Sequence, residues 1–195
     1  MIMRNAEFDR EKVLRAAMSL FMDKGYSKTS MPDLKEVTGL HPGSIYCAFE
    51  NKRGLLLAAI EQYKADRNVE FSQFFLSDET ILAQLKKYLD HMVTECVSGD
   101  PAKGCLFIKT LYESTEEDQE VQAVIADNVL QWEQSLADKF SQAQAAKELS
   151  LNKKSEHLAQ FLIMGIYGLR TFAQSNPDQE TLKALAEQLF NSINN

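Results

Sequence analysis

Gly43, Ser44 and Tyr46 fall within four positions of one another, flanked by Lys28, Thr29 and Ser30 on one side and Lys52 on the other, with His41 and Pro42 just ahead. A glycine that lets backbone approach closely, hydroxyls, a phenol and cations at helix starts are the groups that hold phosphate oxygens and reach base edges. Ile45 and Phe49 stand between them four apart, the spacing of an inward-facing pair on a helix. Tyr46 therefore reads either as a contact residue or as a packing residue, and Ser30 as a cap that can also present amides to phosphate. Lys52 and Arg53 occupy the first turn of an expected helix, where a cation opposes the helix dipole by about 0.3–1 kcal/mol. A nearby phosphate would reverse that cost; a solvated surface lysine is the alternative.

Other reactive groups are few. Cys47, Cys96 and Cys105 are an odd number with no CxxC pair, so neither a disulfide framework nor a cysteine zinc site is expected. Cys105 follows an expected helix start, has Lys103 and Lys109 near it, and shares a helical face with Ile108 and Tyr112. Dipole and cations both favour the thiolate, which makes Cys105 a candidate sensor of electrophiles or oxidants. An unreactive core thiol is the competing reading. Cys96 lies on an apolar stripe and reads as core, and Cys47 offers a weaker route from oxidation to release of a bound partner. His91 and Glu95 are four apart on a helix but have no third ligand in view, so no metal is expected. There is no HExxH, Walker loop, nucleophile elbow or paired-carboxylate pattern, and three histidines leave little base chemistry. The sequence predicts no catalytic residue and no cofactor.

The elements that position these residues are all helical. Asp9 is the expected N-cap of a first helix carrying Val13, Leu14, Ala17, Leu20 and Phe21 on one face, with Phe8 stapled onto Val13 and Gly25 as its left-handed cap. Ser30-Met31-Pro32-Asp33 forms a capping box for a short helix ending at Gly39. Pro42 starts a third helix through Phe49, and Asn51 caps a long fourth with Leu55, Leu56, Ile60 and Tyr63 as its early stripe. Further helices are predicted over Ile81–Val97, from Asp100 and Pro101 to Tyr112, over Val121–Ala146, Lys154–Gln174 and Asp178–Ile193. No strand pattern appears. The fold class is all-α with about nine helices: a three-helix N-terminal domain over residues 1–51, then a helical domain over 52–195.

Charge is divided unevenly. Residues 1–60 hold nine Lys/Arg against seven Asp/Glu, a balance of +2, whereas residues 61–195 hold twelve against twenty-one, a balance of −9. A slightly basic front end can meet phosphate while the acidic body is held away from it. No run of about eighteen apolar residues exists, so no membrane span is expected. The start MIMRNAEFDREK is too polar for a secretory signal, which points to the cytoplasm.

The two short helices joined by Thr-Gly-Leu form a helix-turn-helix. The stretch from about Asp9 to Ile60 resembles the DNA-binding domain of the TetR family of bacterial transcriptional regulators. The likeness rests on KGY, TSMPDL, TGL, GSIY-x-x-F and NKRGLLLAAI in that order and at those spacings. It implies a DNA-binding repressor that reads a pseudo-palindromic operator as a homodimer, responsive to a ligand or through a thiol. DNA contact then falls on Lys28, Thr29, Ser30, His41, Pro42, Gly43, Ser44, Tyr46 and Lys52. Four positions depart from the common pattern: Lys35 replaces a small residue, His41-Pro42 a hydroxyl-and-cation pair, and Ala48 an aromatic or His.

For the body, the resemblance implies an effector pocket among the middle helices and dimerisation through the last two. Phe71, Tyr88, Met92, Cys96, Cys105, Lys109, Tyr112, Trp132 and Met164 are the candidate effector-binding residues, though each also fits a core role. Their richness in aromatic and sulfur side chains suggests a small hydrophobic or electrophilic effector. The helix Lys154–Gln174 is apolar over more than one face, which favours a four-helix dimer interface over an ordinary buried helix. Phe161, Met164, Gly165, Gly168, Leu169, Phe172, Leu185 and Leu189 are the candidate dimer residues. A helical partner-binding or architectural protein without sequence-specific DNA binding is the alternative.

Overall fold

The computed structural model describes residues 8–98, 104–175 and 178–194. All regular structure among them is helical: α1 Arg10–Lys24, α2 Met31–Thr38, α3 Pro42–Phe49, α4 Lys52–Gln73, α5 Ile81–Val97, α6 Leu106–Glu113, α7 Gln119–Ala145, α8 Ser155–Ser175 and α9 Gln179–Asn194, with a 3-10 turn at Glu116–Asp118 before α7. None of these helices is long and apolar enough to cross a membrane. The expected start of the sixth helix at Asp100 and Pro101, and Lys103 beside Cys105, lie outside the described residues, as do Asn176 and Pro177 of the break before α9. Gly104 and Cys105 are non-helical, and α6 begins at Leu106 with Cys105 at its N-cap.

The helix starts follow local chemistry. Asp9 accepts from the Lys12 amide at 3.1 Å. Ser30 and Asp33 cap each other reciprocally, the Asp33 carboxylate taking the Ser30 amide at 2.7 Å. Lys24 reaches the same carboxylate, and these bonds hold Asp33 well below the usual carboxylate range, Lys24 contributing most. Asn51 accepts from the Gly54 amide at 2.9 Å and so opens α4. Phe8 meets Phe49 with ring centroids 6.4 Å apart. Gly25 has φ 89° with ψ 151°, a positive-φ conformation open to glycine whose ψ differs from that of the left-handed helical cap that the sequence suggests.

Two compact units result, and the border does not fall at residue 51. The first takes the chain up to Arg67 together with Cys105–Ile125; the second takes Asn68–Gly104 and Ala126–Asn195. α6 joins the first unit because its apolar face, Leu106, Phe107 and Ile108, is buried there and α6 packs against α1. Tyr63 meets Phe107 edge-on at 5.0 Å. Val13, Leu14, Ala17, Phe21, Leu34, Ile45, Phe49, Leu55, Leu56 and Ile60 complete this core. Arg15 binds Asp66 through two parallel bonds of 2.9 and 2.8 Å, tying α1 to α4 and lowering the Asp66 pKa. In the second unit, α5, α8 and α9 pack on one another around Leu85, Leu89, Leu162, Ile166, Leu182 and Ala186, with Leu136 and Phe140 of α7 in the same cluster. Arg170 and Glu95 form a buried ion pair at 2.7 Å inside it.

Lys52 fixes the turn between α1 and α2. Its ammonium donates to the Tyr26 carbonyl at 2.9 Å and the Thr29 carbonyl at 3.0 Å, and lies 4.4 Å from the centre of the Tyr26 ring. Burial lowers its pKa, partly offset by the attraction of the Glu113 carboxylate. Glu113, the last residue of α6, also accepts from the Ser27 amide at 3.0 Å. A side chain on Gly25 would collide with that carboxylate, since an added Cβ would stand 2.1 Å from its Oε1. Replacing Lys52 by Met should cost about 1.5–3 kcal/mol of stability, the scale for hydrogen bonds to a charged group. Urea denaturation read by circular dichroism checks this; an unchanged midpoint would mean the ammonium serves only an external phosphate.

Candidate nucleic-acid interface

α3 divides by face. Ile45 and Phe49 are buried, and Arg10 caps the outer side of Phe49 at 4.6 Å from its ring centre. On the opposite side His41, Gly43, Tyr46 and Cys47 are exposed and Pro42, Ser44 and Ala48 half-exposed. Tyr46 is 49 % exposed, a large value for an aromatic residue on a helix of eight residues. His41 is the N-cap residue but makes no side-chain cap bond, and Pro42 follows in the first turn. Pro42 has no N–H, and the Ser44 and Ile45 amides donate to the His41 carbonyl at 2.9 and 3.1 Å, so the Gly43 amide is the donor that the α3 start leaves for an anionic oxygen.

The junction after α3 is rigid. Glu50 has φ 66° and ψ −49°, and the Asn51 amide donates across it to the Phe49 carbonyl at 2.7 Å, a γ-turn of the strained hand. That carbonyl comes so close to α4 that a Cβ on Gly54 would stand 2.0 Å from it. One strained residue and one missing side chain thus set the direction of α3 against the start of α4.

The other residues expected here fall into two groups. Lys28 and Ser30 are exposed beside the α2 start. Thr29 is 2 % exposed and its hydroxyl donates to the Gly25 carbonyl at 2.6 Å, so its side chain is used internally. Lys52 is likewise turned inward, as described above. The reasoning that a cation at a helix start needs a negative partner holds, but carbonyl oxygens and Glu113 supply the negative charge. Glu113 and Tyr26 were missed in the sequence. A carboxylate on the final residue of a helix, against the dipole, was the signal available for Glu113.

The nine expected effector-binding residues do not gather in one unit. Phe71, Tyr88, Met92, Cys96, Trp132 and Met164 belong to the second unit, and Cys105, Lys109 and Tyr112 to the first. Phe71, Tyr88 and Met92 are core, Phe71 meeting Tyr88 edge-on at 5.1 Å, and Trp132 lies 5.9 Å from Tyr167. Tyr112 is 73 % and Met164 61 % exposed, so neither lines an interior. Ile108 and Tyr112 are one turn apart on α6, yet Ile108 is buried and Tyr112 points to solvent, while Cys105 lies outside the helix as its N-cap residue. Burial pushes the Cys96 thiol up, as fits a core cysteine. Cys105 is partly exposed, and Lys109 pairs with Glu113 at 4.0 Å.

The expected dimer residues separate as well. Met164, Phe172 and Leu185 are exposed apolar side chains on α8 and α9, with Gly168 open and Phe161 and Leu189 half-exposed. Leu169 is buried in the core of its own unit. Gly165 is used within the chain, because a Cβ there would stand 2.2 Å from Leu189 Cδ2. The close approach it permits is between α8 and α9.

Comparison with known proteins agrees with this arrangement. Residues 13–59 match the family described as bacterial regulatory proteins, tetR family, and residues 81–189 match the tetracyclin repressor-like C-terminal domain. Among curated proteins, the HTH-type transcriptional repressor ComR of Escherichia coli strain K12 is 29 % identical over 181 residues, covering 92 % of this chain and 86 % of that protein. The transcriptional regulator AcuR of Cereibacter sphaeroides is 26 % identical over 177 residues, covering 89 % and 81 %. Among solved structures, a cysteine mutant of the regulator CifR complexed with 26 bp of double-strand operator DNA superposes with TM-score 0.86 at 23 % identity, covering 97 % of this chain and 99 % of that one. The match of the C-terminal family alone spans more than half of the sequence, and the helix-turn-helix match adds the exposed face of α3: this chain belongs to the TetR family of bacterial transcriptional regulators.

Proposed function

We propose that this DNA-binding regulator is a cytoplasmic homodimeric repressor that reads a pseudo-palindromic operator through α3 and is released by a small hydrophobic or electrophilic effector. The observation that carries the reading is the exposed face of α3, Gly43, Ser44 and Tyr46, held by the buried pair Ile45 and Phe49. With Thr29 and Lys52 committed internally, operator contact rests on Lys28, Ser30, His41, Pro42, Gly43, Ser44 and Tyr46, Thr29 contributing through backbone position only. Members of this family are regulators of transcription and not enzymes.

A route for thiol response lies wholly in the first unit. Cys105 stands at one end of α6 and Glu113 at the other, eight residues on, where it holds the Ser27 amide and attracts Lys52. Alkylation or oxidation at Cys105 adds bulk or charge at the α6 start, and a shift of that short helix pulls on the α1–α2 turn. An agent acting this way must favour a conformer that binds operator poorly. For an apolar effector, Phe71, Tyr88, Met92 and Trp132 in the second unit are the supporting residues. For dimerisation the support is the exposed set Met164, Phe172 and Leu185 beside the open Gly168.

Selection of bound sequences from random DNA supplies an operator, and three outcomes are then expected. Tyr46→Ala should weaken operator binding at least about tenfold with its thermal midpoint unchanged, and wild-type affinity should fall steeply with salt. Salt-insensitive binding, or equal affinity in the mutant, would favour the partner-binding alternative. Met164→Glu should convert dimer to monomer in sedimentation velocity with helicity retained; a dimer that survives places the interface elsewhere. Cys105→Ser should bind operator normally yet lose any response to a thiol-reactive compound, whereas an undiminished response would remove Cys105 as the sensor.

A further inference from the structure

The second unit holds a cluster that neither the regulator reading nor the family match uses. His91 and Glu95 are one helical turn apart on α5, and the last turns of α4 bring Glu70 against them. His91 Nε2 lies 2.7 Å from Glu70 Oε1, and one ligand atom from each of the three residues falls within 4.8 Å of the others. Glu95 is 7 % exposed, and Glu70 and His91 are partly buried. One imidazole and two carboxylates converging from two helices are a set of metal-ligating groups, not an exposed acidic patch.

The geometry points to a divalent transition-metal site formed by Glu70, His91 and Glu95. Bonds of about 2.0–2.2 Å around one ion place neighbouring ligand atoms roughly 3.4 Å apart. The His91–Glu70 separation of 2.7 Å must open by about 0.7 Å and the widest spacing, at most 4.8 Å, must close by up to about 1.4 Å, changes within reach of side-chain rotation of Glu70 and His91. The mixed nitrogen and oxygen donors suit Zn2+ or Co2+ and not Mg2+ or Ca2+, which take oxygen alone. Arg170 donates to Glu95 at 2.7 Å and to the Met92 sulfur at 3.1 Å. It holds the Glu95 carboxylate in place beside His91, as groups behind a ligating carboxylate commonly do. With three protein ligands the ion keeps an open position for water or a small anion. Such an ion would clamp the end of α4 to α5.

The test is binding to the full chain, read without DNA so that it stands apart from the repressor proposal. Protein dialysed against EDTA is titrated calorimetrically with Zn2+ and, separately, with Co2+ followed by its visible absorption. One ion per chain is expected, with Co2+ bands of four- or five-coordinate intensity. His91→Gln and Glu70→Gln, both at partly exposed positions, should lose this binding while circular dichroism stays unchanged. Arg170→Lys keeps the charge and should weaken binding about 10–100-fold. Absence of saturable binding to the wild type would overturn the site and leave an internal His–Glu hydrogen bond. Equal binding in His91→Gln would also overturn it, assigning the ion to His41 or His157.

Discussion

The orientation of the reading head depends on one half-buried ammonium, that of Lys52. The connection between α1 and α2, just ahead of the helix-turn-helix, leaves carbonyl groups without helical partners, and they must find donors. Here the Tyr26 and Thr29 carbonyls find Lys52, while Thr29 closes back on Gly25 through its hydroxyl. Burying an ammonium is costly, and the lowered pKa of Lys52 records that cost. The Tyr26 ring face and the Glu113 carboxylate offset part of it. Lys52 opposes the dipole at the α4 start and Glu113 opposes it at the α6 end, so each misplaced charge is relieved by the other. The contact ties the α1–α2 turn to the start of α4 and the end of α6.

The second constraint is the joint between α3 and α4. Glu50 adopts a positive φ without being glycine, a conformation that costs of order 1–3 kcal/mol and persists only where its surroundings demand it. The demand is visible: the Asn51 side chain must cap α4 at the Gly54 amide while the Phe49 carbonyl lies over Gly54. A longer loop would relax the strain and also let α3 swing. Because Ile45 and Phe49 are buried on the inner side, the joint and the core together fix where Gly43, Ser44 and Tyr46 face. For a helix of two turns, which has little stability by itself, such outside fixation is what makes its exposed side chains usable for recognition.

Much of this was legible in the sequence wherever the cause is local. Asp9, the Ser30–Asp33 box and Asn51 cap helices at the positions their residue types predict, and the four-residue spacing of Ile45 and Phe49 separates inner from outer face. What could not be read is which distant group answers each exposed requirement. Lys52 demanded a negative partner, and sequence alone could not choose between a phosphate and a carbonyl twenty-six residues earlier. Gly165 signalled close approach but not to whom, and Leu189 of the same chain takes the space. Cys105 was placed on a helical face with Tyr112 by extending α6 toward its N-terminus, whereas it is the extended N-cap residue ahead of the helix. His91 and Glu95 announced a pair, and their third neighbour comes from a helix ending eighteen residues before His91.

The second unit poses a different physical question. Its interior buries Gln84 and Asn128 as well as one ion pair, Arg170 with Glu95, with the Met92 sulfur on the same guanidinium and His91 and Glu70 at the edge. Replacing such a pair by apolar residues is often neutral or stabilising, so stability alone does not explain it. The row runs from the end of α4 across α5 to α8, the helix that also carries Met164 and Phe172. Apolar side chains slide past one another with little preference, whereas hydrogen-bonded charges have one good arrangement and a steep penalty for others. A polar row in that position therefore fixes the register of three helices. Any ligand that competes for one of its members acts where the unit is least able to adjust gradually.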